Sequence, residues 1–136
     1  MKLLMIYCTR FAWTPTVKVL DDAEEGAQAG EHEHILTAFI QAEAEDEDDL
    51  KGVEKKLVKN LKWAAGKNNT RKVMLHSFAH LSDSKADAAF TAELFRNAIE
   101  RMQNAEYETF TTPFGYFLDL DMQAPGYSLA RIFKSF

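Results

Sequence analysis

The chain of 136 residues has the length of one ordinary domain, and its 46% hydrophobic residues are enough to build a single buried core. Its net charge of −5 argues against a general nucleic-acid coat protein, because affinity for phosphates comes from clustered lysine and arginine. No stretch approaches the roughly 20 apolar residues that cross a bilayer, and the N-terminal apolar run lacks a cleavage site. We therefore expect one domain over residues 1–136, in the cytoplasm and with no membrane partner.

Apolar, strand-like runs separated by acidic loops make up the first third of the chain. The run Lys2–Cys8 predicts a strand that is covered on both faces. A second strand is predicted around Thr16–Leu20 and a third over Ile35–Glu43. Cys8 is the only cysteine, which excludes an internal disulfide and favours a buried, inert thiol over a catalytic one.

An amphipathic helix follows the acidic tract that ends the third strand. Apolar residues recur every three or four positions from Leu50 to Ala64. Asp46 or Asp48 is placed to cap this helix, and Gly66 is placed to end it. A second face of the helix carries a lysine stripe, formed by Lys51, Lys55, Lys59 and Lys62. The stripe is either an ordinary solvated face or a face that tracks phosphates.

The rest of the chain predicts a strand at Arg71–His76 and a helix from Ala86 to Met102, preceded by a Ser84-x-x-Asp87 capping-box pattern. Two strands then flank a turn at residues 112–115, in the manner of a hairpin. These strands and the final segment are predicted at Tyr107–Thr111, Tyr116–Met122 and Ser128–Phe136. The element order predicts an α/β fold, with a mixed sheet and two main helices against it.

Two segments indicate a ligand site between strand ends. Phe78-Ala-His-Leu-Ser82 leaves an apolar strand, and Pro113-Phe-Gly-Tyr-Phe117 forms the turn between two others. His80 is placed to donate to a ligand or to titrate near neutral pH, and a capping or packing role fits it equally well. The chain has no Gly-rich phosphate loop, nucleophile elbow or Cys-x-x-Cys pair.

Two histidine pairs could begin a metal site. His32 and His34 alternate on an extended chain and so point the same way, whereas His76 and His80 are four residues apart at a strand exit. Neither pair has further ligands at a recognisable spacing. We expect no metal and no cofactor.

At these motifs the chain resembles a known family, the editing domain at the N-terminus of archaeal threonyl-tRNA synthetases, which has the fold of D-aminoacyl-tRNA deacylases. The resemblance covers essentially the whole chain. Lys2-Leu-Leu-Met-Ile-Tyr and Leu36-Thr-Ala-Phe-Ile resemble two of its strands, and its most specific motifs are Phe78-Ala-His-Leu-Ser82 and Pro113-Phe-Gly-Tyr116.

The resemblance implies aminoacyl-tRNA editing, with hydrolysis of serine esterified to threonine tRNA as the family's activity. It places the aminoacyl-adenosine end between the two motifs, with backbone near Ala79 and Phe114 on the adenosine and His80 beside the ester. The implied substrate-binding residues are Phe78, Ala79, Pro113, Phe114, Gly115, Tyr116 and Phe117. A homodimer is implied as well.

Three of the four polar side chains of the family pattern are replaced in this chain. Phe117 and Leu118 stand where the pattern has tyrosine and lysine, and Arg131 stands where it has glutamate, so that only His80 is retained. Arg131 or Lys134 is a candidate substitute for the missing cation.

Two functions therefore remain open, a deacylase of mischarged tRNA and a degenerate binding module that keeps an aminoacyl-adenosine or other small-ligand pocket. The deacylase would act in trans or as a separated part of a synthetase. The partner would be the acceptor end of an aminoacyl-tRNA or an aminoacyl-adenosine-like small ligand, with the lysine stripe as the surface that binds the tRNA.

Overall fold

The computed structural model describes residues 1–136 and contains one six-stranded mixed sheet with two α-helices. The strands are β1 (Lys2–Lys18), β2 (Gly30–Gln41), β3 (Lys72–Ser77), β4 (Glu108–Thr111), β5 (Tyr116–Gln123) and β6 (Arg131–Ser135). The helices are α1 (Leu50–Lys67) and α2 (Ala88–Asn104), and two short 3₁₀ helices cover Ala44–Asp48 and Ser128–Ala130. The predicted mixed α/β architecture with two main helices is confirmed.

The strand order is β4-β3-β2-β1-β5, with β6 paired to β1 as well. β1 is antiparallel to its three partners, whereas β2 with β3 and β3 with β4 are parallel pairs. Along one side of β1, residues Lys2 to Ile6 pair with β6 and residues Arg10 to Lys18 pair with β5. β6 and β5 therefore lie end to end along the same edge of β1.

The prediction of two separate strands before Leu20 is wrong, because β1 is continuous over 17 residues and contains Pro15. Proline cannot donate a ladder hydrogen bond and is tolerated at edges and bulges. Here Pro15 lies beyond Trp13, the last β1 residue that pairs with β2, and the register with β5 shifts between Pro15 and Val17. β2 also begins earlier than predicted, at Gly30, since its first residues are polar and hide the strand pattern.

The hairpin predicted around residues 112–115 is also wrong. β4 pairs with β3, and β5 pairs with β1 at the opposite end of the strand order. The four connecting residues reach at most about 18 Å, while four strand spacings in a flat sheet span about 19 Å. The sheet is therefore curled, and residues 112–115 cross one end of it.

Both helices form where the apolar spacing predicts them, but their termini differ from the predictions. Asp49, not Asp46 or Asp48, caps α1, because its Oδ1 accepts a hydrogen bond of 3.0 Å from the Gly52 N–H. Gly66 does not end the helix, which continues to Lys67. Glycine weakens a helix interior by only about 1 kcal/mol, which neighbouring packing offsets.

The capping box predicted at the start of the second helix is wrong as well. α2 begins after Asp87, and Ser84 lies in the preceding loop, where its Oγ accepts a hydrogen bond of 3.0 Å from the Ala44 N–H. The pattern Ser84-x-x-Asp87 therefore belongs to a loop that is tied to the end of β2. This loop, residues 78–87, is called the β3–α2 loop below.

The core lies on both faces of the sheet. The larger cluster joins β1 and β2 to the apolar faces of both helices, through residues such as Leu3, Leu57 and Leu94. A smaller cluster on the other face contains Cys8 and Phe11. Cys8 is fully buried, as predicted, and burial raises the pKa of its thiol.

Neither helix is both long and apolar enough to cross a lipid bilayer.

Candidate functional site

The two sequence motifs meet in one cleft of about 390 Å³ at the end of β3. Its walls are the β3–α2 loop, the connection that crosses the sheet end, and the first turns of α2. The cleft brings together His80 and all seven residues predicted to bind substrate, Phe78, Ala79, Pro113, Phe114, Gly115, Tyr116 and Phe117. Hereafter it is called the motif cleft.

Gln41, the last residue of β2, holds the β3–α2 loop in place. Its side chain is almost fully buried, with 3% exposure, and lines the motif cleft. Its Oε1 accepts hydrogen bonds of 2.6 and 2.9 Å from the N–H groups of Leu81 and Ser82. Its Nε2 donates bonds of 2.8 and 2.9 Å to the carbonyls of Ser82 and Ser84. One amide thus fixes the backbone on the C-terminal side of His80.

Replacing Gln41 with leucine should loosen this loop without removing a side chain that titrates. Gln41→Leu leaves two half-buried N–H groups and two half-buried carbonyls without their partner, at a cost of about 1–3 kcal/mol for each one that water does not reach. We expect a lower free energy of unfolding in urea and faster amide hydrogen exchange at Leu81 and Ser82. Gln123→Leu, at an exposed strand end, is the control. Unchanged exchange in Gln41→Leu would show that the loop is held by other contacts.

His76 and His80 have different environments although they are only four residues apart. His76 is buried, its Nδ1 lies 2.9 Å from Thr112 Oγ1, and burial lowers its pKa to about 4. It is therefore neutral at pH 7 and links β3 to the connection that crosses the sheet end. His80 is exposed, and its ring contacts Phe78 edge-on at a centroid distance of 5.1 Å. Of the two, only His80 is free to meet a ligand.

The Pro113–Phe117 side of the cleft is anchored to the segment after β1. The Gly115 carbonyl accepts hydrogen bonds of 2.8 and 3.3 Å from the N–H groups of Val19 and Leu20. Gly115 has a φ of +86°, and a Cβ there would lie 2.7 Å from the Cβ of Ala23. Position 115 therefore requires glycine, both because of its positive φ and because a side chain there would clash with Ala23.

Two apolar residues follow this turn on β5. Phe117 pairs with Val17 of β1 and is 58% exposed, and Leu118 pairs with Pro15 and is half-buried. Both line the motif cleft. This side of the cleft consequently offers apolar surface.

Lys85 is a cleft residue that the sequence alone does not predict. It lies in the β3–α2 loop, its side chain is exposed, and it lines the motif cleft. A single lysine in a polar loop before a helix carries no pattern of its own, so only its position in space distinguishes it.

Arg131 and Lys134, the candidate substitutes for the missing cation, do not line the motif cleft. Arg131 begins β6, opposite Ile6 of β1, and its Nη1 donates a hydrogen bond of 2.8 Å to the Pro125 carbonyl. The Lys134 Nζ lies 5.4 Å from the centroid of the Trp63 ring. The structure therefore does not bring these two side chains together with His80.

The lysine stripe also lies outside the motif cleft, because no residue of α1 lines it. Lys51, Lys55 and Lys59 are exposed and Lys62 is half-buried. Lys51 borders a shallow hollow between the two helices that also contains Glu54, Glu93, Glu100 and Arg101. Three glutamates therefore surround the same hollow as the first residue of the stripe.

His32 and His34 do not face a common point. The His32 ring stacks on Phe110 at 4.2 Å, and burial lowers its pKa. The His34 Nδ1 lies 3.0 Å from the Tyr7 hydroxyl. His34 has a φ of +52°, which interrupts the alternation that would align the pair. No group of three or more His, Cys, Asp or Glu side chains is arranged to hold a metal ion.

Comparison with known proteins identifies the family of the chain. The model of the archaea-specific editing domain of threonyl-tRNA synthetase matches residues 1–136. This chain is a member of that editing-domain family. Membership supports a general role in aminoacyl-tRNA editing.

Full-length relatives and a solved structure agree with membership of the editing-domain family. The chain is 30% identical to threonine–tRNA ligase of Methanococcus vannielii over 97% of its length, and 26% identical to that of Thermococcus kodakarensis over 99%. It spans about a fifth of each relative, 21% and 22%. The structure of c-Myc DNA unwinding element binding protein has a TM-score of 0.69, with 14% identity and coverage of 99% of this chain and 98% of that one. This likeness shows the fold alone, which is D-aminoacyl-tRNA deacylase-like.

Proposed function

We propose that the protein is an aminoacyl-tRNA deacylase that removes serine from mischarged threonine tRNA, in trans or as part of a synthetase. The observation that carries this proposal is the meeting of both family motifs, with His80, in one cleft in a chain that matches the editing-domain family throughout. Serine and threonine differ by one methyl group, which gives only about 1–3 kcal/mol of discrimination. A second site that hydrolyses the wrongly formed seryl ester raises the overall selectivity above what this difference in binding allows.

The motif cleft suits the terminal aminoacyl-adenosine of such a substrate. The exposed Ala79 and His80 stand on one side and the Pro113–Phe117 segment on the other. Backbone groups near Ala79 and Phe114 hold the adenosine, and His80 stands beside the ester. An ester is already an activated acyl group, so backbone hydrogen bonds, an ordered water and the ribose hydroxyl can supply much of the catalysis.

A panel of seryl, threonyl and D-aminoacyl tRNAs tests the proposal. The purified protein should release serine from seryl-tRNA(Thr) faster than the spontaneous rate and leave threonyl-tRNA(Thr) intact. Persistence of every substrate at the uncatalysed rate would exclude the deacylase function. Release of a different amino acid would support the deacylase activity but contradict the proposed specificity for serine.

A catalytically degenerate binding module is the second candidate, and the side chains of Phe117 and Leu118 favour it. Both are apolar and line the cleft, at positions where the family pattern has polar groups. Such a module would bind a non-hydrolysable aminoacyl-adenosine analogue, or another small ligand, without turnover. Binding of the analogue, together with no release of amino acid above the spontaneous rate in the deacylation panel, would support the binding module over the deacylase.

We further propose that the lysine stripe binds the tRNA body. Reversing two exposed charges with Lys55→Glu and Lys59→Glu should weaken tRNA binding and flatten its dependence on salt by about one or two units of slope, as expected for lost phosphate contacts. Hydrolysis of a short aminoacyl-adenosine ester should hardly change. The measurement is tRNA affinity by filter binding at several salt concentrations.

Lys56→Glu is the control for these reversals, since Lys56 is exposed on the same helix but outside the stripe. Equal loss of activity on tRNA and on the short ester would argue against a docking face.

We also propose a homodimer. Large apolar side chains are exposed on β1, β5 and β6, including Val17 at 56%, Phe117 at 58% and Phe133 at 54%. Analytical ultracentrifugation of the purified protein tests this assembly, and a single species of 15.5 kDa would exclude it.

A further inference from the structure

The motif cleft has an unusual charge distribution for a protein with a net charge of −5. None of its lining residues is an aspartate, glutamate or arginine. Apart from two histidines, of which the buried His76 is neutral at pH 7, its only ionisable side chains are Tyr116 and Lys85. Lys85 therefore supplies the one permanent charge of the cleft.

The ammonium of Lys85 is available to a ligand. None of the ion pairs of the structure includes Lys85. Asp83 and Asp87 are its nearest acidic neighbours in sequence, and both are exposed and outside the cleft lining. A cation without a carboxylate partner at a mostly apolar cleft favours an anion, or a group that becomes one.

The backbone that carries Lys85 is held on both sides. The Ser84 carbonyl accepts a hydrogen bond of 2.9 Å from Gln41, and the Ala86 N–H donates one of 3.0 Å to the Ala42 carbonyl. The end of β2 thus fixes the position of residue 85, while the long side chain remains free to reach into the cleft.

We propose that the Lys85 ammonium binds the ester carbonyl oxygen as negative charge develops on it during deacylation, an inference that rests on the proposed function. Water adds to the carbonyl carbon, and the C=O electron pair moves to the oxygen. Collapse of this intermediate breaks the bond to the ribose oxygen, which leaves with one proton of the water, while the other goes to solvent as the amino acid carboxylate forms. A cation aimed at the oxyanion lowers the barrier because it interacts more strongly with the transition state than with the neutral ester.

Turnover of seryl-tRNA(Thr) by Lys85→Met tests this role. We expect kcat to fall about 10-fold with little change in KM, which is less than the roughly 100- to 1,000-fold loss typical of a buried oxyanion-hole donor because Lys85 is exposed. Lys85→Arg should retain most of the rate. Lys56→Met, which removes an exposed lysine outside the cleft, should behave as the unaltered protein. A raised KM for tRNA with unchanged kcat would overturn the proposal in favour of a phosphate contact.

Binding of two adenosine analogues tests the same contact without turnover. One is a tetrahedral phosphonate that carries a negative charge at the position of the acyl group, and the other is the 3′-amide, whose carbonyl group is uncharged. The unaltered protein should prefer the phosphonate, and Lys85→Met should reduce this preference about 10-fold while its affinity for the amide stays constant. An equal preference in both proteins overturns the role of Lys85. A silent deacylation panel with a Lys85-dependent preference would instead reject the proposed function and retain the anion contact.

Discussion

His80→Ala should lower the rate of serine release from seryl-tRNA(Thr) by about 100-fold or more, the range lost when a positioned acid–base or hydrogen-bonding group is removed. His80 is exposed at the motif cleft and makes no hydrogen bond within the protein, and its one aromatic contact is with Phe78. Folding should therefore be almost unaffected. The measurements are single-turnover deacylation and urea unfolding on the same preparation.

His34→Ala is the matched control, because His34 is also exposed but lies outside the motif cleft. It should keep the full rate. An unchanged rate in a folded His80→Ala protein would remove His80 from the mechanism and leave the reaction to backbone groups, substrate and Lys85. If the protein is a binding module, the same substitution should weaken binding of the aminoacyl-adenosine analogue instead.

Local patterns were sufficient to predict the helices and the strand that leads to the site. The apolar spacing from Leu50 to Ala64 sets the buried face of α1, and a short β-rich run sets β3. The polar exit from β3 predicted a ligand site at residues 78–82, and the structure places these residues beside the second motif. Each of these features depends on residues that are close in sequence.

Long-range pairing could not be predicted in the same way. A turn at residues 112–115 has the same local chemistry whether its two strands pair with each other or, as here, with β3 and β1. Only the curl of the sheet brings the connection over the cleft. The continuation of β1 through Pro15 could not be predicted for a related reason. Proline is tolerated in a strand only where its missing N–H faces no partner strand, and the sequence does not show that pairing with β2 ends at Trp13.

Two site residues had no sequence signal at all. Gln41 ends an apolar run, a place that is equally typical of an exposed strand end, yet it is buried and binds four backbone groups of the β3–α2 loop. Lys85 stands alone among polar residues, and its importance comes from the absence of any other permanent charge in the cleft. Both roles depend on what surrounds the residue in space.

The end of β2 also connects the site to the N-terminus through Glu43. One carboxylate oxygen accepts a hydrogen bond of 2.6 Å from the buried Met1 ammonium, and the other accepts one of 2.6 Å from the Ser82 hydroxyl in the β3–α2 loop. Asp46 lies 2.9 Å from the same ammonium. The Met1 ammonium and the Ser82 hydroxyl lower the pKa of Glu43 from 4.5 to about 2. The ion pair is therefore coupled to the loop that carries His80 and Lys85.

Glu43→Gln should lower the free energy of unfolding at pH 7 by about 2 kcal/mol, because it removes one of the two carboxylates that pair with the buried Met1 ammonium and leaves Asp46 as the other. A carboxylate with a depressed pKa stabilises the folded state above its unfolded pKa, near 4.5, and loses that contribution as pH falls toward about 2. The difference between the two proteins should consequently shrink between pH 5 and pH 2.5. Urea unfolding at both pH values measures it, with Glu45→Gln, at an exposed neighbour, as the control. A difference that is independent of pH would mean that the lost stability comes from packing and not from the charge of Glu43.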